Sequence, residues 1–210
     1  MIAASFILCA SWCTHSPTLG AALVPPRQVA LSVSGGLNVI LPAVRLQAVA
    51  GLTQKLDLGL EYETYAGLVH GFALVPRVRL HRYVATSLAV SYSYYTVDEL
   101  FGVRMSRAPF GNGLSLSPAL HVSGFRRGGV HVSGALGLSI GVVRNGEMGS
   151  EVQRVAEISV QHIYGEVGAE WERRHGALFL RFRAVVPVQS DFPIIGFLPM
   201  LTVGRSFLVP

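Results

Sequence analysis

From Ala43 to Tyr65 the chain reads AVRLQAVAGLTQKLDLGLEYETY, and its polarity switches nearly residue by residue. Val44, Leu46 and Ala48 alternate with Arg45, Gln47 and Val49. Beyond a corner at Leu52-Thr53-Gln54, the row Leu56, Leu58, Leu60 and Tyr62 alternates with Lys55, Asp57, Gly59, Glu61 and Glu63. A period of two on both sides of a tight turn predicts an antiparallel strand pair with one apolar and one polar face. The polar row of the first strand is basic and that of the second mainly acidic, so cross-strand neighbours attract.

The same period, punctuated by glycine and charge, predicts about ten strands. They lie near Gln28–Ser34, Val39–Ala50, Lys55–Tyr65, Phe72–His81, Ala85–Tyr95, Leu114–Gly124, Val130–Val142, Ser159–Glu172, Ala177–Val186 and Leu198–Phe207. Strong helical periodicity is absent. One face is nearly free of charge, with Leu56, Leu58, Leu60, Phe72, Leu74, Leu88, Val90, Leu136, Leu138, Leu178, Leu180 and Phe182. The other carries Arg45, Asp57, Glu61, Glu63, Arg77, Arg79, His121, His131, Glu166, Glu170, Glu172, Arg181 and Arg183. Strand by strand the polar rows go basic, acidic, basic, and later acidic, then basic. A packed ion-pair interior needs such an order, because a buried unpaired charge is costly.

Two faces leave two ways to fold. A soluble carrier barrel turns the leucines inward and the charges to water. A membrane barrel does the reverse. Three observations favour lipid outside. Charged residues are only 14% of the chain and mean hydropathy is +0.46, whereas soluble domains carry about 25% charged residues. Sixteen of the seventeen basic residues are arginine, Lys55 being the exception, although water-facing sheets protect themselves with exposed lysine. Longer links follow strands five, seven and nine (about 96–112, 144–157 and 187–196), and short corners follow strands two, four, six and eight, which sets the two kinds at opposite ends. No stretch after residue 22 offers the eighteen or so apolar residues of a spanning helix, so closed β-structure is the remaining way across a bilayer.

The apolar run IAASFILCASWC followed by Gly20-Ala21-Ala22 predicts a cleaved secretory signal over residues 1–22, leaving a barrel domain over 23–210. Both cysteines, Cys9 and Cys13, fall in the signal, so the mature domain is expected to have no disulfide and no thiolate chemistry. A sequence pI of about 9.6 raises nucleic acid as a partner. The basic residues are scattered among acidic neighbours with no aromatic reading motif, so no nucleic-acid partner is expected.

In the last strand Leu201, Val203 and Phe207 share a face, and the run LTVGRSF ends in an aromatic residue, followed by Leu208-Val209-Pro210. With the loop parity, this resembles the small β-barrel outer-membrane proteins of Gram-negative bacteria. The resemblance implies short periplasmic turns, longer external loops, residence in the outer membrane, contact with outer-membrane lipid, and recognition of the final strand by the barrel-insertion machinery. Arg205 departs from the pattern by standing in the apolar row.

Within this frame the expected fold is an all-β, antiparallel, up-and-down transmembrane β-barrel of about ten strands, or eight if Gln28–Ser34 and a neighbour do not pair. The expected lumen network is Arg45, Asp57, Glu61, Glu63, Arg77, Arg79, Glu166, Glu170, Arg181 and Arg183. Tyr62, Tyr65, Tyr92, Tyr94, Trp171 and Phe207 near strand ends suit aromatic girdles at the two interfaces. His121 and His131 reach the polar face of neighbouring strands, with Ser117, Ser123, Ser133 and Glu166 in the vicinity. A Ser-His-Glu lipid hydrolase is one reading of that set, and hydrogen-bonding lumenal histidines are the other. The latter is the expectation, with no catalytic residue, cofactor or metal. The expected function is structural, adhesive or loop-mediated binding by a monomeric barrel plugged by Arg/Glu pairs. A narrow channel for small polar solutes, a lipid-modifying enzyme and a lipocalin-like carrier stand as alternatives.

Overall fold

The structure, a computed structural model, describes residues 22–38, 41–96, 99–100, 103–104, 113–127, 129–144, 156–173, 176–188 and 198–209. The signal predicted for residues 1–22 therefore lies almost wholly outside the described residues. Ten long strands are present: β1 (Val29–Asn38), β2 (Leu41–Gly51), β3 (Leu56–Tyr65), β4 (Val69–His81), β5 (Val84–Tyr95), β8 (Gly113–Arg127), β9 (Val130–Arg144), β10 (Ala156–Arg173), β11 (Gly176–Pro187) and β12 (Leu198–Val209). Two two-residue strands, β6 (Glu99–Leu100) and β7 (Val103–Arg104), form a small separate hairpin between β5 and β8.

Each long strand pairs antiparallel with its neighbours, β5 meets β8, and β12 returns to β1, so the sheet closes. The seam runs from Val29↔Val209 to Asn38↔Met200, and β1 pairs β2 over the same residues. An eight-stranded barrel is thereby excluded, because β1 is paired along its whole length on both sides. Closure leaves no strand edge in the wall, which hydrocarbon requires since it offers no hydrogen-bond partner to an open edge.

The start of β1, the end of β12 and the links 52–55, 82–83, 128–129 and 174–175 share one end, here the short-turn rim. The links 96–112, 145–155 and 188–197 leave from the opposite, long-loop rim. The β3–β4 connection is a tight turn in which the Leu68 amide donates to the Tyr65 carbonyl at 2.8 Å. Ala66 and Gly67 both take positive φ, 49° and 71°. They are the two central residues of the turn Tyr65–Leu68, inside a three-residue link, and a turn whose twist matches that of its strands asks for this conformation at both.

Candidate functional site

Period two sends every second side chain of each strand into the barrel, and the interior that results is polar. Asp57 and Arg77 are opposite each other on β3 and β4 and almost completely buried. The Arg77 guanidinium donates to both Asp57 carboxylate oxygens, through Nε at 2.9 Å on one of them. Further towards the long-loop rim Arg45 of β2 meets Glu63 of β3 at 2.8 Å, and Gln47 donates to Glu61. Across the barrel, Arg181 of β11 bridges Glu170 at 3.0 Å and Glu166 at 3.4 Å, and Arg183 meets Glu166 at 2.9 Å.

Small residues let these side chains spread. Tyr164 of β10 lies over its cross-strand partner Gly137, where a Cβ would stand 2.5 Å from the phenol ring. Phe179 of β11 covers Gly204 in the same way, with Ser34 of β1 close behind. The Arg181 and Arg183 guanidiniums stack on these two rings, 4.9 Å from Phe179 and 4.8 Å from Tyr164. Planar cations held by carboxylates on one side and ring faces on the other lose most of their freedom to move. On the β5–β8–β9 side the lumen is lined by small side chains, among them Ser87, Ser91, Ser117, Ala119 and Ser139. There the His121 Nε2 and the Ser87 hydroxyl are 2.8 Å apart.

The chain ahead of β1 closes the short-turn rim. Leu23 and Val24 are buried. The Val24 amide donates to Asp57 at 3.1 Å, and Arg77 donates to the Ala22 carbonyl at 3.4 Å. Gly51 admits this segment, because a Cβ there would meet the Val24 and Pro25 carbonyls.

Outside, the polarity is reversed. Leu37, Leu60, Leu80 and Leu136 are each about 60% exposed, and leucine, valine and phenylalanine line the outer face of every strand of the wall. Leaving a leucine in water forgoes about 1.5–3 kcal/mol of burial, so a surface built from them is stable only against hydrocarbon. The soluble-carrier arrangement, with the leucine face inside, does not occur. The fold is that of a transmembrane β-barrel.

Solved structures of similar architecture include a de novo designed transmembrane β-barrel, with a TM-score of 0.40 and 13% identity over 90% of this chain and 100% of that one. The N-terminal β-barrel domain of Pseudomonas aeruginosa OprF matches with a TM-score of 0.39 and 12% identity over 87% and 98% of the two chains. The NanC porin matches with a TM-score of 0.47 and 8% identity over 84% and 98%. No protein-family model matches the sequence, and no curated protein does. The membrane placement rests on this chain's own surface.

Nine of the ten residues expected in the lumen network, all but Arg79, take part in the hydrogen bonds and ion pairs above. Arg79 is half-buried near the short-turn rim, and no ion pair joins it to another described residue. Tyr62 and Tyr94 stand on the outer face near the long-loop rim, grouped with His70 and Phe72. The Tyr62 hydroxyl donates to His70 Nδ1 at 2.7 Å, His70 Nε2 donates to the Gly67 carbonyl, and the His70 ring stacks on Tyr94 at 5.0 Å. Tyr92 is exposed on the same side of the barrel; Trp171 and Phe207 are exposed towards the short-turn rim. Tyr65 is a correction: expected in a girdle, it points into the barrel and is 1% exposed. It stands three residues from Tyr62, and an odd separation in a strand reverses the face. The hydroxyl partner of His121 also differs from expectation, being Ser87 of β5 and not Ser117, Ser123 or Ser133. Tyr164, Phe179 and the 22–25 segment carried no local signal, since each acts through contacts with another strand and not through the alternation of its own.

Proposed function

We propose that this protein is a plugged outer-membrane β-barrel that anchors its external loops for a structural, adhesive or binding role. One observation supports this above others: the charges in the lumen balance. Arg45, Arg77, Arg79, Arg181 and Arg183 face Asp57, Glu61, Glu63, Glu166 and Glu170, and nine of the ten are engaged with neighbours. A channel that selects ions keeps unmatched charge along an open path, whereas matched pairs across a slender barrel fill it. The buried Leu23-Val24 segment adds a cap at one mouth. Half-buried Tyr62 and Tyr94 with exposed Tyr92 on one side, and exposed Trp171 and Phe207 on the other, suit the two membrane interfaces. The start of the chain is read as a signal cleaved near Ala22, with the last strand through Phe207 offered to the insertion machinery.

A second reading has its own observation. Ser87, Ser91, Ser117, Ala119 and Ser139 make the lumen face of β5, β8 and β9 small and polar, and on this reading small polar solutes pass along that face. Recordings of the purified protein in planar bilayers separate the two: silence at every voltage is expected, and reproducible unitary steps favour the channel. Lipid-modifying chemistry is disfavoured because His121 is fully buried on the lumen side with Ser87, away from lipid.

A further inference from the structure

The ionic residues divide by position. The lumen holds five arginines and five carboxylates and is neutral. The links and strand ends of the long-loop rim carry four arginines against six carboxylates in the sequence. The formal net charge of +5 therefore originates at the short-turn rim. Arg27, Lys55, Arg82, Arg126, Arg127, Arg173 and Arg205 stand there among the described residues, with Glu172 as the one carboxylate.

This collar is aimed sideways as well as downwards. The register runs Val130↔Trp171, Trp171↔Leu178 and Leu178↔Arg205, a single row around the outer wall that ends on exposed Arg205. Arg205 lies 4.7 Å over the ring of exposed Phe207, and Arg82 lies 4.5 Å over exposed Tyr83. Arginine resting its stem and cation on an aromatic at the edge of an apolar belt places its charge at headgroup depth. Its planar fork matches a phosphate diester in two hydrogen bonds.

From this arrangement we infer that the short-turn rim is a docking collar for anionic glycerophospholipid headgroups, which it gathers from the leaflet around it. A soluble polyanion meeting the barrel end-on would not reach Arg205, which projects from the wall. The inference rests on the membrane reading above, and Trp171, in the middle of the row, reports on both.

The test uses the full chain carrying Trp12→Phe, so that Trp171 is the sole tryptophan. It is reconstituted in vesicles in which either phosphatidylglycerol or phosphatidylcholine carries brominated acyl chains, and fluorescence quenching is read. The expected result is a relative binding constant about fivefold in favour of phosphatidylglycerol at low salt, the effect of one basic residue near an anionic surface, falling towards one at molar salt. Combined Arg82→Gln, Arg127→Gln, Arg173→Gln and Arg205→Gln abolishes the preference; if that variant fails to fold, Arg205→Gln alone lowers it. Equal quenching by both lipids overturns the collar and leaves the membrane reading intact. Quenching by neither overturns both. Arginine-dependent binding of a short double-stranded oligonucleotide without lipid preference also overturns the collar.

Discussion

Asp57 has no exposure to solvent, yet its carboxylate is satisfied three times, twice by Arg77 and once by the Val24 amide. Two ions taken out of water are tolerated on those terms, and removing one partner strands the other. Arg77→Ala is accordingly expected to cost about 3–5 kcal/mol of folding stability, read as a lowered urea midpoint for protein folded into vesicles. Combining it with Asp57→Asn restores much of that loss, because no buried charge is left unmatched. Arg79→Ala, at a half-buried position with no ion pair to another described residue, changes stability by no more than about 0.5 kcal/mol. That Asp57 and Arg77 share the polar face on adjacent strands of opposite charge was legible from alternation; that they are partners was not. The third bond, from Val24, was not, because it joins residues 33 positions apart through a segment without periodicity.

The outer row of a strand shows the same inversion at the next scale. Leu60, midway along β3, is 60% exposed. At a water-exposed site a leucine changed to arginine alters stability by no more than about 0.5 kcal/mol. At the midplane of a bilayer the same change costs about 2–4 kcal/mol. Leu60→Arg and Leu136→Arg are expected to show the larger loss when the protein unfolds from vesicles, and a value near zero for both would place the leucine face in water. Strand positions were readable to within a few residues because alternation over ten or more positions is a long signal. The hairpin of β6 and β7 was not, since two residues cannot display a period.

For the whole molecule, the decisive property is closure. Ten strands joined through β1 and β12 satisfy the backbone of the wall internally, and the leucine belt then encircles the barrel without a break. Such a particle has no stable state in water. Removing detergent is expected to aggregate the protein, while dilution from urea into lipid vesicles yields a strand-rich form whose gel mobility changes on boiling. Monodisperse protein without detergent overturns the membrane placement. The number of strands and the parity of the links were already apparent in the chain, where long and short connections alternate by end.

Alternation alone specified strands, their order of pairing and the chemistry of two faces. It specified these because a residue's face depends only on whether its position is odd or even. It could not say which face was inside, since the pattern is symmetric under exchange of the two; composition supplied the bias and closure made the choice. The particular contacts between inward side chains of different strands belong to the tertiary structure alone. Ser87 with His121, Tyr164 over Gly137, Phe179 over Gly204 and the capping of Asp57 by Val24 depend on the stagger between strands, and stagger is a property of the closed sheet that no single strand encodes.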